Sequence, residues 1–553
     1  MKHLLLLLFT LTTTFAASNI SDAQLKKMIG HLLIVGFAQE KIDTQSQIVK
    51  DIKEYELGGV ILFDRCYSER NRTKNIRSKE QLKALTTALQ QISKRELFIA
   101  VDQEGGRVAR LKPKYGFEQI PSAKNVAKLG EQKAKEIYAK QSQMLHNMGI
   151  NLNFAPVVDL AKNPQNRVIV GLERAFSSEP QEVVKFAKIV IEAQRAEHII
   201  SALKHFPGHG SSLGDSHKGF VDISDTWSEE ELEPYRALIQ SGEAEMIMSA
   251  HVFNSHLDSK YPATLSYAIN TKLLREQLGF RGVIISDDMQ MGAITKHYTL
   301  KESTTLALNA GVDILLFGNQ LAAYSTEEIV TTIFQSVKSG DIPLSRIIEA
   351  NHHIENLKTQ NAIIQKPIIF QEERIALTKA YIKEHYGLSV KNIQIQPKMI
   401  VLHWTAVMDL EKSFARLNAQ RLFSDRKDIA AASALNVSAH FLIDRDGTIY
   451  QLMPDNSMAR HVIGLNYSAI GVENVGGEAN KKEDLTPEQL QANIRLIQYL
   501  KAKYPTIEHI IGHYEYREFE KSPLWLEKDA GYRTKKVDPG KAFMHDVRDA
   551  LAK

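Results

Sequence analysis

One cysteine in 553 residues, Cys66, leaves this chain without an internal disulfide, so its fold rests on packing. Past the N-terminus no run approaches the roughly 18 consecutive apolar residues that a membrane-crossing helix needs. Charge of one sign is also scarce: 69 Lys and Arg face 65 Asp and Glu, a net of +4 with both signs interspersed. That balance excludes the basic stripe of a nucleic-acid binder. Internal repeats and low-complexity tracts are missing too. What remains is 43% hydrophobic and 24% charged, the composition of a globular protein. At roughly 100–200 residues per domain this length allows two to four domains, or fewer if one is a large barrel.

The start, MKHLLLLLFTLTTTFAAS, combines Lys2, an apolar run from Leu4 and small residues at Ala16 and Ala17. That is the pattern of a cleaved signal peptide over 1–17, its apolar part short for a permanent span. No cysteine stands at the cleavage point to carry a lipid. The expectation is export, to a periplasm or beyond the cell, with no stable membrane insertion after cleavage. An uncleaved anchor is the alternative.

From residue 31 to about 320, short apolar runs alternate with polar-faced helical stretches: HLLIVGF, GGVILF, ELFIAVD, INLNFAPVVDL, IISALKHF, EMIMSAHV, GVIISDD and VDILLFG. Strands apolar on both faces are those of a buried parallel sheet. Eight strand-helix units predict an α/β fold, a (β/α)8 TIM barrel over 18–361, with a doubly wound open sheet as runner-up. Polar residues gather where the strands end: Asp102, Lys204, His205, His251, Asp287 and Asp288. Barrel enzymes keep their chemistry at that rim. A linker over 362–373 leads to a second α/β domain with a mixed sheet, 374–553, whose strands read PKMIVLHWTA, VSAHFLID, TIYQLM and AIGVENV.

Within the barrel, KHFPGHGSSLGDSH (204–217) packs three histidines, glycines and an aspartate into one loop. Asp215 lies close enough to His217 to orient its imidazole and favour the protonated form. A turn-rich surface loop with incidental histidines is the plainer alternative. Asp287 reads equally as a helix cap or as a nucleophile held at the rim.

These strings, with VDQEGGRVARL (101–111), GLERAF (171–176) and ISDDMQM (285–291), resemble the exo-β-N-acetylglucosaminidases of glycoside hydrolase family three, the NagZ type. The resemblance implies that Asp287 is a nucleophile forming a glycosyl-enzyme intermediate. It also implies His217 as general acid and base with Asp215 its partner, and a sugar ring bound by Asp102, Arg110, Arg174, Lys204 and His205 without a cofactor. Water is the expected acceptor. Phosphate is the alternative, because a histidine repels an anionic acceptor less than a carboxylate would. The loop glycines Gly208, Gly210 and Gly214 then read as hinges that bring the acid to the substrate.

In the second domain His403 and His513 stand at strand ends and Asp538 near the C-terminus. Each alone is more often structural. Together they offer two imidazoles and a carboxylate, a tetrahedral Zn2+ set with one position left for water, although no compact HExxH signature is present. LHWTA, SAHFLIDRDGTIYQL, AIGVENVGG, IIGHYEY and KKVDPG resemble the zinc N-acetylmuramoyl-L-alanine amidases of the AmpD and peptidoglycan-recognition fold. That resemblance implies His403, His513 and Asp538 as zinc ligands, Glu473 as general base and Lys536 as oxyanion stabiliser. His440 and His461 receive no role.

The two resemblances converge on muropeptides and peptidoglycan fragments as partners. One domain would cut N-acetylglucosamine from N-acetylmuramic acid and the other the muramoyl-L-alanine amide. The alternatives are a glycosidase or phosphorylase whose second domain only binds peptidoglycan, and a chitooligosaccharide scavenger.

Overall fold

The computed structural model describes residues 20–67, 72–216, 219–321, 324–426 and 429–552. The stretch 1–17, read as a signal peptide, lies outside them. Eight parallel strands close on themselves: β1 (Leu33–Gly36), β2 (Gly59–Ile61), β3 (Phe98–Val101), β4 (Leu152–Asn153), β5 (Ile200–Phe206), β6 (Met246–Ser249), β7 (Val283–Asp288) and β8 (Ile314–Phe317), with β8 pairing back to β1. The expected TIM barrel is therefore the observed one. Every residue of β1 and β8 is buried, since the inner face meets the barrel core and the outer face meets helices. Helix Lys79–Ile92 shows why the alternating segments coil: Leu82, Leu85 and Leu89 recur at helical spacing on its buried face, and the Ser78 side chain caps it by accepting from Gln81 N–H.

The apolar run 150–160 yields the shortest barrel strand. Only Leu152–Asn153 forms the strand: Phe154 N–H still donates to the Val101 carbonyl at 2.9 Å, but Ala155 N–H turns back to the Asn153 carbonyl at 2.8 Å. Beyond it the chain stays beside β5, with Val157 bridging Lys204 and Val158 N–H donating to the Lys204 carbonyl at 2.9 Å. At the opposite end of the barrel Asp313, fully buried before β8, receives Arg275 at 2.6 Å, His353 at 2.9 Å and the Arg346 guanidinium. Losing one partner of such a buried set typically costs about 3–5 kcal/mol, which makes this a structural lock.

Residues 362–373 include β9 (Ile364–Gln365), which pairs with β12 (Ile449–Gln451) at the edge of a mixed six-stranded sheet. Inward from β12 lie β11 (Phe441–Ile443), β13 (Ala469–Asn474), β10 (Met399–Trp404) and β14 (His509–Gly512). Only β11 and β12 pair antiparallel; the other pairings are parallel. Side chains alternate across a strand, so Ile400, Leu402, Ile470 and Val472 pack under helix Pro487–Lys503, while Met399, Val401 and Ala469 pack on the other face against Tyr381, Val462 and Leu465. The same alternation carries His403 and Glu473 onto that second face. Helix Pro487–Lys503 also packs against helix Leu344–Ala362 of the barrel. No helix among the described residues is long and apolar enough to cross a membrane.

Candidate functional sites

At the C-terminal rim of the barrel, six dispersed residues meet. Asp102 accepts from Lys204 Nζ at 3.0 Å and from Arg110 Nη2 at 2.9 Å. Glu104 binds Arg174 through both oxygens at 2.7 Å and Lys204 Nζ at 2.7 Å. His205 joins through Nε2, 3.2 Å from Arg174 Nη2. Burial alone would raise the Asp102 and Glu104 carboxyls, but Lys204, Arg110 and Arg174 outweigh it and hold both below the usual range. The result is a fixed set of two carboxylates and three cations that presents both donors and acceptors at the rim.

Asp287 and Asp288 differ in the backbone groups they hold. Asp288 Oδ1 accepts from Gln290 N–H at 3.0 Å and Gly318 N–H at 3.2 Å, so it secures the turn beyond β7. Asp287, half-buried on the rim, accepts the Asp288 N–H at 2.8 Å. His251 braces the same turn, its Nε2 at 2.9 Å from the Asp288 carbonyl.

The root of the histidine loop is clamped by two carboxylates that sequence reasoning missed. Asp159 Oδ2 lies 2.6 Å from His205 Nδ1, while its Oδ1 accepts the N–H groups of His205 at 3.1 Å and His209 at 2.8 Å. Glu231 Oε2 accepts Gly210 N–H at 2.9 Å. Burial pushes the Glu231 carboxyl up to about 7. The glycines have a packing reason as well as a conformational one. A Cβ on Gly210 would sit 1.7 Å from the Leu160 carbonyl oxygen, and one on Gly208, at φ +127°, 2.6 Å from Glu231 Cβ. Further along, Asp215 is half-buried and the Ser216 carbonyl accepts Ala293 N–H at 3.1 Å. His217 lies outside the described residues. Glu104 and Asp159 had a signal, as acids beside strand ends in VDQEGG and APVVD; Glu231, inside the acidic run SEEELEP, had none.

In the second domain the parallel register pairs His403 of β10 with Glu473 of β13. His513 follows β14 directly, and Asp538 arrives from the C-terminal segment. His403 Nδ1, His513 Nδ1 and Asp538 Oδ2 face one another at 2.9, 3.2 and 2.9 Å, all three residues buried. Burial lowers the His513 imidazole to about 4, leaving it neutral as a ligand must be. Burial would raise Asp538, yet the adjacent His513 and His403 hold it well below the usual carboxylate range. The set fits Zn2+ by donor chemistry: two imidazole nitrogens and a carboxylate oxygen turned inward on a common point. Beside it Glu473 Oε2 is enclosed and takes no hydrogen bond among the described residues, and burial pushes its carboxyl up to about 7. Lys536 lines the same cleft, of about 1060 Å³.

Comparison with known proteins agrees with this geometry. Residues 394–541 match the N-acetylmuramoyl-L-alanine amidase family (Amidase_2). "Beta-hexosaminidase A" of Pseudoalteromonas piscicida is 34% identical over 339 residues, 56% of this chain, which spans 54% of that protein's length. "Beta-hexosaminidase" of Tolumonas auensis is 38% identical over 272 residues, covering 48% of this chain and 77% of the relative. The solved beta-N-acetylhexosaminidase of Beutenbergia cavernae superimposes with a TM-score of 0.54 at 25% identity, covering 60% of this chain and 98% of that one. Residues 24–357 match the glycosyl hydrolase family 3 N terminal domain, and the chain belongs to that family, with an amidase-family domain following its barrel.

Proposed function

We propose that the chain is a bifunctional muropeptide-degrading enzyme, exported to the periplasm, that hydrolyses two different bonds of one substrate. In the barrel Asp287 attacks the anomeric carbon of a terminal N-acetylglucosamine while His217, oriented by Asp215, protonates the departing muramyl oxygen. Water then gives its proton to His217 and displaces Asp287, so the β configuration is retained. Asp102, Arg110, Arg174, Lys204 and His205 hold the ring during both steps.

In the second domain His403, His513 and Asp538 hold Zn2+, which supplies Lewis acidity for the muramoyl-L-alanine amide. Glu473 takes the proton of the attacking water and passes it to the leaving amine; its elevated pKa suits both transfers near neutral pH. Lys536 meets the negative charge that develops on the carbonyl oxygen.

One observation carries the catalytic reading over a binding-only one: a complete ligand set shares one cleft with an enclosed carboxylate whose Oε2 takes no hydrogen bond among the described residues. Chelation tests it. Stripping metal should abolish amide cleavage, with zinc restoring it, and leave release of N-acetylglucosamine unchanged. Amide cleavage that persists in verified metal-free protein would remove the zinc mechanism. No amide cleavage in zinc-loaded protein would favour the tethering role.

A further inference from the structure

Three buried histidines of the second domain are left over among the described residues once the triad and its base are placed: His385 pairs with Glu527 at 3.0 Å, and their surroundings separate His440 from His461. His440 spends both ring nitrogens on backbone: Nδ1 accepts Gly471 N–H at 2.9 Å, and Nε2 donates to the Ser457 carbonyl at 2.7 Å. It stitches strands together. His461 is different, because one of its nitrogens meets a side chain of the triad.

His461 Nε2 lies 3.3 Å from the Ala469 carbonyl, and a carbonyl only accepts, so that nitrogen carries the hydrogen. In the neutral ring Nδ1 is then a lone pair, and it faces His403 Nε2 at 3.0 Å. His403 must donate from Nε2, which leaves its Nδ1 without a proton where it faces His513 and Asp538. We infer that His461 is a positioning residue that fixes the tautomer and ring plane of His403, presenting Nδ1 as a metal ligand. The inference rests on the reading that the triad holds zinc.

Two features show that this contact is built in. Gly471 stands in the middle of β13, where glycine costs strand stability, and a Cβ there would lie 2.7 to 2.9 Å from ring atoms of His461. The backbone at His461 is pinned as well, since Asn466 Oδ1 accepts the N–H groups of His461 and Val462, each at 2.8 Å. The missing Cβ at Gly471 makes room for the ring, and the Asn466 bonds hold the backbone that carries it beside His403. A partner of this type typically contributes on the order of 10–100-fold to metal affinity.

The test is zinc affinity of the full chain, measured by competition with a chromogenic chelator, alongside thermal melting of each metal-free protein to verify folding. Wild type should bind zinc and His403→Ala should lose it. His461→Phe, which fills the slot without an acceptor, should bind on the order of 10–100-fold more weakly. His461→Gln, whose amide oxygen can accept from His403 Nε2, should recover most of that loss. Wild-type affinity in His461→Phe, with His403→Ala still defective, overturns the inference and leaves the triad standing. Equal loss in the Phe and Gln variants overturns it too, because the acceptor is then not what matters. Zinc uptake that is unaffected by His403→Ala overturns the triad itself.

Discussion

Single side chains show how the barrel arranges its chemistry. Asp287 and Asp288 are adjacent and chemically alike, yet Asp288 accepts two backbone N–H groups across the turn while Asp287 accepts the Asp288 N–H. That division depends on where the β7 and β8 turns meet, so spacing alone could not assign it. Glu231 depends on context in the same way: one acid in a run of acids, it is the one folded under the loop. Its carboxyl is pushed up to about 7 from an ordinary 4.5, so between those values the folded state holds a proton that the unfolded state has lost. Barrel stability should therefore fall as pH rises through this window, by roughly 1–3 kcal/mol. Glu231→Gln should flatten the dependence. Denaturant unfolding at pH 5 and pH 8 measures both, and an equal fall in wild type and variant would place the effect elsewhere.

Among the elements, the barrel strands were legible because burial on both faces leaves them almost purely apolar, and the glycine-rich loop was legible from composition. Its mechanics were not. Read from sequence, Gly208, Gly210 and Gly214 are all hinges, but the three differ in what surrounds them. Gly210 touches the Leu160 carbonyl and Gly208 touches Glu231, whereas a Cβ on Gly214 would meet the Val221 side chain at 2.9 Å, a group that can shift. Gly210→Ala should therefore displace the clamped root, destabilising the barrel by about 1–3 kcal/mol. Inhibitor affinity should fall along with turnover. A variant that keeps full inhibitor affinity while losing turnover would restore the hinge reading for that position. The edge strand β9 was also hidden, since two residues pairing with a distant strand leave no periodicity to read.

At the scale of the whole molecule, two independently built sites share one chain. The metal triad was readable as three candidate ligands, but what makes it a site is long-range: β10, the residue after β14 and the C-terminal segment converge only in the folded sheet. Glu473, the proposed base, is brought beside His403 by the register of β10 with β13, another long-range fact. The two sites are proposed to act on different bonds of one muropeptide. Mass spectrometry of defined muropeptide digests by wild type, Asp287→Ala and His403→Ala tests that claim directly. Wild type should yield free N-acetylglucosamine, the muramyl sugar and the peptide. Asp287→Ala should release peptide but leave the disaccharide intact, and His403→Ala should release N-acetylglucosamine but leave the muramyl-peptide. A variant that loses both products, or one that loses neither, would contradict two separate active sites.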